Sequence, residues 1–249
     1  MPKVTAGCGW AIVARVTETA SPTLDGVEIL RLLDPDLRAE TARRCRWRRF
    51  DAGEQILDQQ GGTQDVCFVV RGRVRVVNHS ASGREISFDD IPAGGTVGEM
   101  AAVDGGPRSA AVVALDEGTL IAFLAPRPFL ELVTGHPELA LAVMRRLSGI
   151  ARRATDRIME LSTLGANNRV HAELLRLARQ HARPDNTAVL DPVPVHSDIA
   201  ARVSTTRETV ARVLGDLTRD GLLEKRGSAL LIRDLARLEE LVEDVRGAP

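Results

Sequence analysis

Thr96-Val97-Gly98-Glu99-Met100-Ala101-Ala102, followed shortly by Pro107-Arg108-Ser109-Ala110, is the stretch on which the reading of this chain turns. A glycine beside a short helical turn frees backbone N–H groups to face an anion, and a following arginine can lie against the same phosphate. The carboxylate of Glu99 is then the odd member. It fits if it accepts hydrogen bonds from a ribose hydroxyl, or if it forms an internal ion pair with Arg108 inside a barrel. Around this stretch, residues 50–123 alternate short β-branched runs (66–70, 74–77, 110–114) with turn signals at Gly61-Gly62, Arg71-Gly72, Ser82-Gly83, Gly94-Gly95 and Gly105-Gly106. That rhythm predicts a small antiparallel sandwich or barrel. A helical segment over 29–44 precedes it, with Leu30, Leu33, Leu37 and Ala42 on one side and Pro35 interrupting it.

Beyond His136-Pro137 the period changes. Met144, Leu147, Ala151, Ala154, Ile158 and Leu161 recur at alternating intervals of 3 and 4, the spacing of a coiled-coil seam. Arg145, Arg146, Arg152, Arg153, Asp156 and Arg157 fall off it. The seam predicts either a dimer contact or a helix packed on its own domain. Residues 167–182 read as another amphipathic helix, and 183–194, with three prolines, as a loop. Two short helices then flank Ser204-Thr205, a helix-turn-helix whose second member Thr206 or Thr205 caps, with Glu208 or Thr209 in its first turn. Residues 222–225 and 229–232, separated by Arg226-Gly227-Ser228, read as a two-stranded wing.

Charge is uneven along the chain. Residues 1–150 hold 17 basic and 19 acidic side chains, residues 151–233 hold 14 and 10, and residues 234–249 hold 2 and 5. The positive part coincides with the helix-turn-helix, the sign a phosphate-binding surface needs. On the second helix, Arg207 and Arg212 are the residue type that reads guanine O6 and N7, and Glu208 can accept from cytosine N4; the alternative is a solvated, salt-bridged face with Asp216 and Arg219.

Composition removes other classes. With 44% hydrophobic and 27% charged residues the chain is ordinarily globular, and five Phe, two Trp and no Tyr leave little material for stacking on single strands or sugars. Three scattered cysteines, Cys8, Cys45 and Cys67, suggest neither a disulfide framework nor a thiolate metal site, and a reducing cytoplasm fits. Residues 4–14 after Lys3 imitate a signal-peptide core, but Arg15 and Glu18 follow at once, so residues 1–26 read as an N-terminal extension and no membrane partner is expected. His79, His136, His171, His181 and His196 are scattered, which predicts no metal. No nucleophilic triad, P-loop or paired acidic motif points to an enzyme.

These residues resemble a known family. Gly98-Glu99-Met100-Ala101 with Pro107-Arg108-Ser109-Ala110 resembles the phosphate-binding cassette of cyclic-nucleotide-binding domains. Arg207-Glu208-Thr209-Val210-Ala211-Arg212 resembles the recognition helix of the bacterial catabolite activator (CRP/FNR) family of transcription regulators. Val69-Val70-Arg71-Gly72-Arg73-Val74 and Asp51-Ala52-Gly53-Glu54 resemble its early strands and turn, and the likeness runs over about residues 27–234. It implies an α+β fold: a cyclic-nucleotide-binding β-roll of the double-stranded β-helix type over 27–135, a dimerisation helix over 136–165 and a winged helix-turn-helix over 166–249. It also implies a ligand site of Gly98, Glu99, Met100, Ala101, Arg108, Ser109 and Ala110. Glu99 would take the ribose 2′-OH, Arg108 and Ser109 the cyclic phosphate, and Gly98 and Met100 would offer backbone N–H groups. Where the family places a Thr-Ser pair near the base, Ala154-Thr155 stands here; Ala154 cannot hydrogen-bond an adenine edge and Ser109 can reach a guanine amino group, so cyclic AMP and cyclic GMP compete. Arg207, Glu208 and Arg212 would read half-sites of TGTGA type in double-stranded DNA, a homodimer meeting an inverted repeat, with His196, Ser197 and Thr206 on phosphates. DNA bending and RNA polymerase contact near residues 183–194 are likewise implied. The alternatives are a family member whose DNA binding needs no nucleotide, and a nucleotide-binding module acting on a protein partner. A metal enzyme of cupin type would carry histidines where this chain has Asp65 and Cys67.

Overall fold

The computed structural model describes residues 22–80 and 85–246. The readings of residues 4–14, Cys8 and the Ser82-Gly83 turn therefore lie outside the described residues. A 3₁₀ turn over Glu28–Leu32 leads into α1 (Pro35–Arg44), so Pro35 begins a helix where the sequence suggested an interruption. The reason is local. Pro35 stands in the first turn, where no backbone donor is needed, and Asp34 accepts the Leu37 N–H at 3.0 Å to cap it.

Eight strands follow: β1 (Arg46–Phe50), β2 (Gln55–Leu57), β3 (Val66–Arg71), β4 (Arg73–His79), β5 (Glu85–Pro92), β6 (Thr96–Val97), then, after the short helix α2 (Glu99–Asp104), β7 (Ala111–Ala114) and β8 (Thr119–Leu124). They form two antiparallel sheets, ordered β1-β8-β3-β6 and β2-β7-β4-β5. Between the sheets lie Phe50, Cys67, Val69, Val74, Val112, Ile121 and Phe123. The outer face of the first sheet, with Val66, Phe68, Ala122 and Leu124, is covered by helices bringing Leu30, Phe129 and Leu139. Strand β3 is thus buried on both faces, which is why 66–70 reads as an unbroken apolar run rather than an alternation. Gly72, at φ 79°, turns β3 into β4 where a Cβ would fall 2.4 Å from the Thr119 hydroxyl.

Helix α3 (Pro126–Gly135) leads into α4 (Pro137–Thr163), the long helix. The N-terminal half of α4 packs on the β-roll through Leu139 and Val143, while Met144, Ile158 and Met159 are more than half exposed. The C-terminal module is α5 (Ala166–Arg179), β9 (Ala188–Leu190), α6 (His196–Arg202), α7 (Arg207–Arg219), β10 (Leu223–Arg226), β11 (Ala229–Ile232) and α8 (Leu235–Arg246). Its core joins Val170 and Leu174 of α5, Ile199, Val210, Leu214 and Leu217 of the helix-turn-helix, and Leu230 and Ile232 of the wing. The wing has three strands, not two, in the order β10-β11-β9. Ala188 and Leu190 point into the core, so part of 183–194, read as a loop, satisfies its backbone polar groups by pairing with β11. Helix α8 closes the module with Leu238 and Val242.

Candidate functional site

Gly98 sits at φ 82° and precedes α2. A Cβ there would fall 2.6 Å from Arg108 Nη1 and 3.0 Å from the Asp65 carbonyl oxygen, so the close approach of strand and arginine requires glycine. Arg108 is 5% exposed. Its Nη1 donates to the Gly98 carbonyl at 3.0 Å and its Nη2 to the Asp65 carbonyl at 2.8 Å, while its buried Nε has no partner. Among the described residues no carboxylate forms an ion pair with it. A buried guanidinium held only by neutral oxygens, with its Nε–H unanswered, lacks a counter-charge. An anion entering beside Gly98 would supply both, which is the fit a cyclic phosphate requires.

Glu99 is also buried, at 3% exposed. Its partner is not Arg108, the internal alternative the sequence allowed, but Arg146 of α4, whose Nε donates to Oε1 at 2.7 Å. The same guanidinium donates to the Thr96 carbonyl. Arg146 therefore ties the cassette to the long helix. From the sequence it was visible only as a charge lying off the seam, because a contact with Glu99 far back in the chain leaves no periodic trace.

The remaining cassette residues come together around this pair. Ala101 and Ala110 are buried, Met100 is partly exposed, and the exposed Ser109 hydroxyl lies 3.7 Å from Met100 Sδ. Ala154 and Thr155 stand apart. They are exposed on α4, Thr155 is about 13 Å along the axis from Arg146 at the standard rise, and its hydroxyl donates to the Ala151 carbonyl at 3.1 Å. Among the described residues no group of three or more His, Cys, Asp or Glu side chains could hold a metal ion.

In the C-terminal module, α6 and α7 meet across a turn in which Ser204 takes φ 51°. Thr206 is the cap of α7, accepting the Thr209 N–H at 3.3 Å, and Thr205 is buried instead. The backbone N–H of Glu208 and the Thr206 hydroxyl hold its carboxyl below the usual carboxylate range. Thr206, Arg207, Glu208 and Arg212 are all exposed at and after the start of α7, with Ser197 exposed and His196 half-buried at the start of α6. Arg212 donates to Asn167 Oδ1 at 3.0 Å.

The two modules touch through charge. Arg75 of β4 pairs across the strands with Asp90 of β5 at 2.8 Å and reaches Asp198 of α6 at 3.0 Å, while Arg202 of α6 returns to Asp90. Arg202 also lies 3.7 Å from Glu173, which is gripped by both arms of Arg176 at 2.7 Å. The first helix of the helix-turn-helix is thereby clamped to the β-roll. No helix among the described residues is long and apolar enough to cross a membrane.

Comparison with known proteins agrees with this arrangement. Residues 47–136 match the cyclic nucleotide-binding domain family and residues 168–241 the Crp-like helix-turn-helix domain family. The chain is 33% identical over 199 residues to the cyclic AMP receptor protein of Thermus thermophilus, covering 78% of this chain and 87% of that protein. A solved transcriptional regulator of the CRP/FNR family, also from Thermus thermophilus, is 29% identical with a TM-score of 0.58, over 80% of this chain and 98% of that one. A mutant of CooA from Carboxydothermus hydrogenoformans shares the fold at 23% identity, with a TM-score of 0.73 over 92% of this chain and 98% of that one. With both modules matched in the same order, and a third of the residues shared over most of a relative's length, this chain is a DNA-binding transcription regulator of the CRP/FNR family that carries a cyclic nucleotide-binding domain.

Proposed function

We propose that the chain works in the cytoplasm as a homodimer whose DNA binding is switched by a 3′,5′-cyclic nucleotide, cyclic AMP or cyclic GMP. The observation that carries this reading is Arg108, a buried cation with its Nε unpartnered, bonded to the Gly98 carbonyl beside the buried Glu99. The phosphate would complete Arg108 with help from Ser109 and the N–H groups of Gly98 and Met100, and the ribose would engage Glu99. Because Glu99 already holds Arg146 of α4, a ribose hydroxyl at that carboxylate changes how the cassette grips the long helix. That gives the ligand differential contact with two helix arrangements, the requirement for a population shift. Thr155 and Ala154 would approach the base only from a helix that has moved, or from the second subunit.

The exposed Met144, Ile158, Met159 and Leu161 supply an apolar stripe for the two-fold seam. In this division residues 27–135 bind nucleotide, 136–165 dimerise and 166–249 bind DNA, with 1–26 an extension. Arg207, Glu208 and Arg212 would read a half-site of TGTGA type and His196, Ser197 and Thr206 would set register on phosphates. RNA polymerase would be met near residues 183–194. One observation favours the nucleotide-independent reading instead: Glu99 already has a tight partner in Arg146. Calorimetric titration of both nucleotides into the native protein and into Arg108→Ala separates the two. The proposal expects saturable binding that the substitution abolishes; equal heats from both proteins, or none from the native one, overturn it.

A further inference from the structure

A cavity of about 350 Å³ opens where α4, α5, the helix-turn-helix turn and α8 meet, far from the cassette in sequence and built on other residues. Its wall carries four arginines. Two are neutralised: Arg176 by Glu173 through two bonds of 2.7 Å, and Arg179 by Glu239 at 3.0 Å. The other two are matched less closely. Arg169 directs its donors to the carbonyls of Val203, Leu164 and Ser204, and Arg157 bonds the Ser204 hydroxyl at 3.2 Å, with the Glu160 carboxylate 3.8 Å away. Burial lowers the pKa of Arg157; the carboxylates of Glu160 and Glu173 oppose it, and the charge of Arg169 adds to it. Two guanidiniums thus converge on one cavity, Arg169 bonded to backbone carbonyls and Arg157 to the Ser204 hydroxyl with Glu160 at 3.8 Å, and four arginines face the two lining carboxylates Glu160 and Glu173. Charge-assisted bonds to an entering anion would engage both Arg157 and Arg169 more tightly. The apolar part of the lining is Ala172, Leu175, Val203 and Val242. The volume is roughly ten times that of a single water in the liquid and falls in the range of small-molecule sites.

We propose that this cavity binds a small organic anion, a carboxylate or phosphate on a compact apolar body, as a second effector separate from the nucleotide. Both guanidiniums hold Ser204, one by its hydroxyl and one by its carbonyl. Ser204 lies in the strained turn immediately before the recognition helix. An anion that draws Arg157 and Arg169 toward itself loosens that grip, so occupancy is coupled to the placement of α7, and by linkage DNA and anion affect each other's affinity reciprocally.

The test uses the full-length protein in an Arg108→Ala background, which removes the cassette as an anion site. Inorganic phosphate, citrate and benzoate are titrated calorimetrically at constant ionic strength; phosphate against the two carboxylates distinguishes the head group. Saturable binding of at least one probe is expected, weakened at least about tenfold by Arg157→Gln and retained in part by Arg157→Lys, which keeps the charge but not the fork. In the otherwise native protein, the bound probe should also shift half-saturation in a DNA mobility assay, and Arg157→Gln should remove the shift. Absence of saturable heat with all three probes up to about 10 mM, or binding unchanged by Arg157→Gln, overturns the proposal without touching the nucleotide reading, which rests on Arg108.

Discussion

The clamp between β5 and α6 can be tested by a double-mutant cycle on Asp90 and Arg202. Asp90 accepts from Arg75 Nε at 2.8 Å and Nη2 at 3.0 Å and also from Arg202. The side chains keep only 22%, 11% and 19% of their exposure respectively for Asp90, Arg75 and Arg202. Breaking a fully buried pair by removing one partner costs about 3–5 kcal/mol. Here Arg75 retains Asp198 at 3.0 Å and Arg202 retains Glu173 at 3.7 Å, so we expect Asp90→Ala to cost about 2–3 kcal/mol, with roughly 1.5–2 kcal/mol of that as coupling to Arg202. Urea unfolding of native, Asp90→Ala, Arg202→Ala and the double variant, followed by circular dichroism, reads the coupling from the less stable transition. Single effects that add to within about 0.5 kcal/mol would refute the clamp. The pH dependence has a definite sign. Burial alone would raise the Asp90 pKa, but the hydrogen bond from Arg75 and the charge of Arg202 outweigh it and hold it below the ordinary value. The contribution is therefore fully present above the unfolded aspartate value, about 3.9, and is lost as pH falls through the lower folded value.

Gly98→Ala should leave the β-roll folded but less stable by about 1–3 kcal/mol and lose nucleotide binding, because the new Cβ meets Arg108 Nη1 and the backbone is held at φ 82°; calorimetry beside a lowered but still cooperative thermal transition checks it. Leu174→Ala removes a fully buried side chain from the C-terminal core and should destabilise that module by about 2–5 kcal/mol, leaving the fluorescence transition of Trp47 in the β-roll where it was when read in a Trp10→Phe background. Cys45 and Cys67 are buried, burial pushing the Cys45 thiol up to about 12 and the Cys67 thiol higher still. Both should remain unalkylated in the native protein and react on unfolding, as peptide mass spectrometry will show.

Where one local pattern carried the information, the sequence was readable. The long helix α4, the cap at Thr206, the glycine before Glu99 and the continuous β3 run are each set by neighbours within a turn or a strand. Helix α8 escaped because its apolar residues, Leu235, Leu238 and Val242, are embedded in an acidic tail whose charge dominated the reading. Strand β9 escaped because three residues between proline-rich turns carry no period, and its place is decided by β11. Proline at 35 was read as a break when it opens a helix. The pairs that join modules, Arg146 with Glu99 and Asp90 with Arg202, connect residues distant in the chain. No spacing rule reaches such pairs, and one charged residue looks like any other until folding brings it to its partner.

The reading of this chain as a nucleotide-controlled regulator is tested most directly by titrating cyclic AMP and cyclic GMP into the full-length protein, free and then saturated with palindromic DNA. Linkage requires that a nucleotide which promotes DNA binding be held more tightly by the DNA complex, typically by about 5- to 150-fold. The account predicts such tightening for one of the two nucleotides, absent in Arg108→Ala. Identical nucleotide affinity with and without DNA would contradict it.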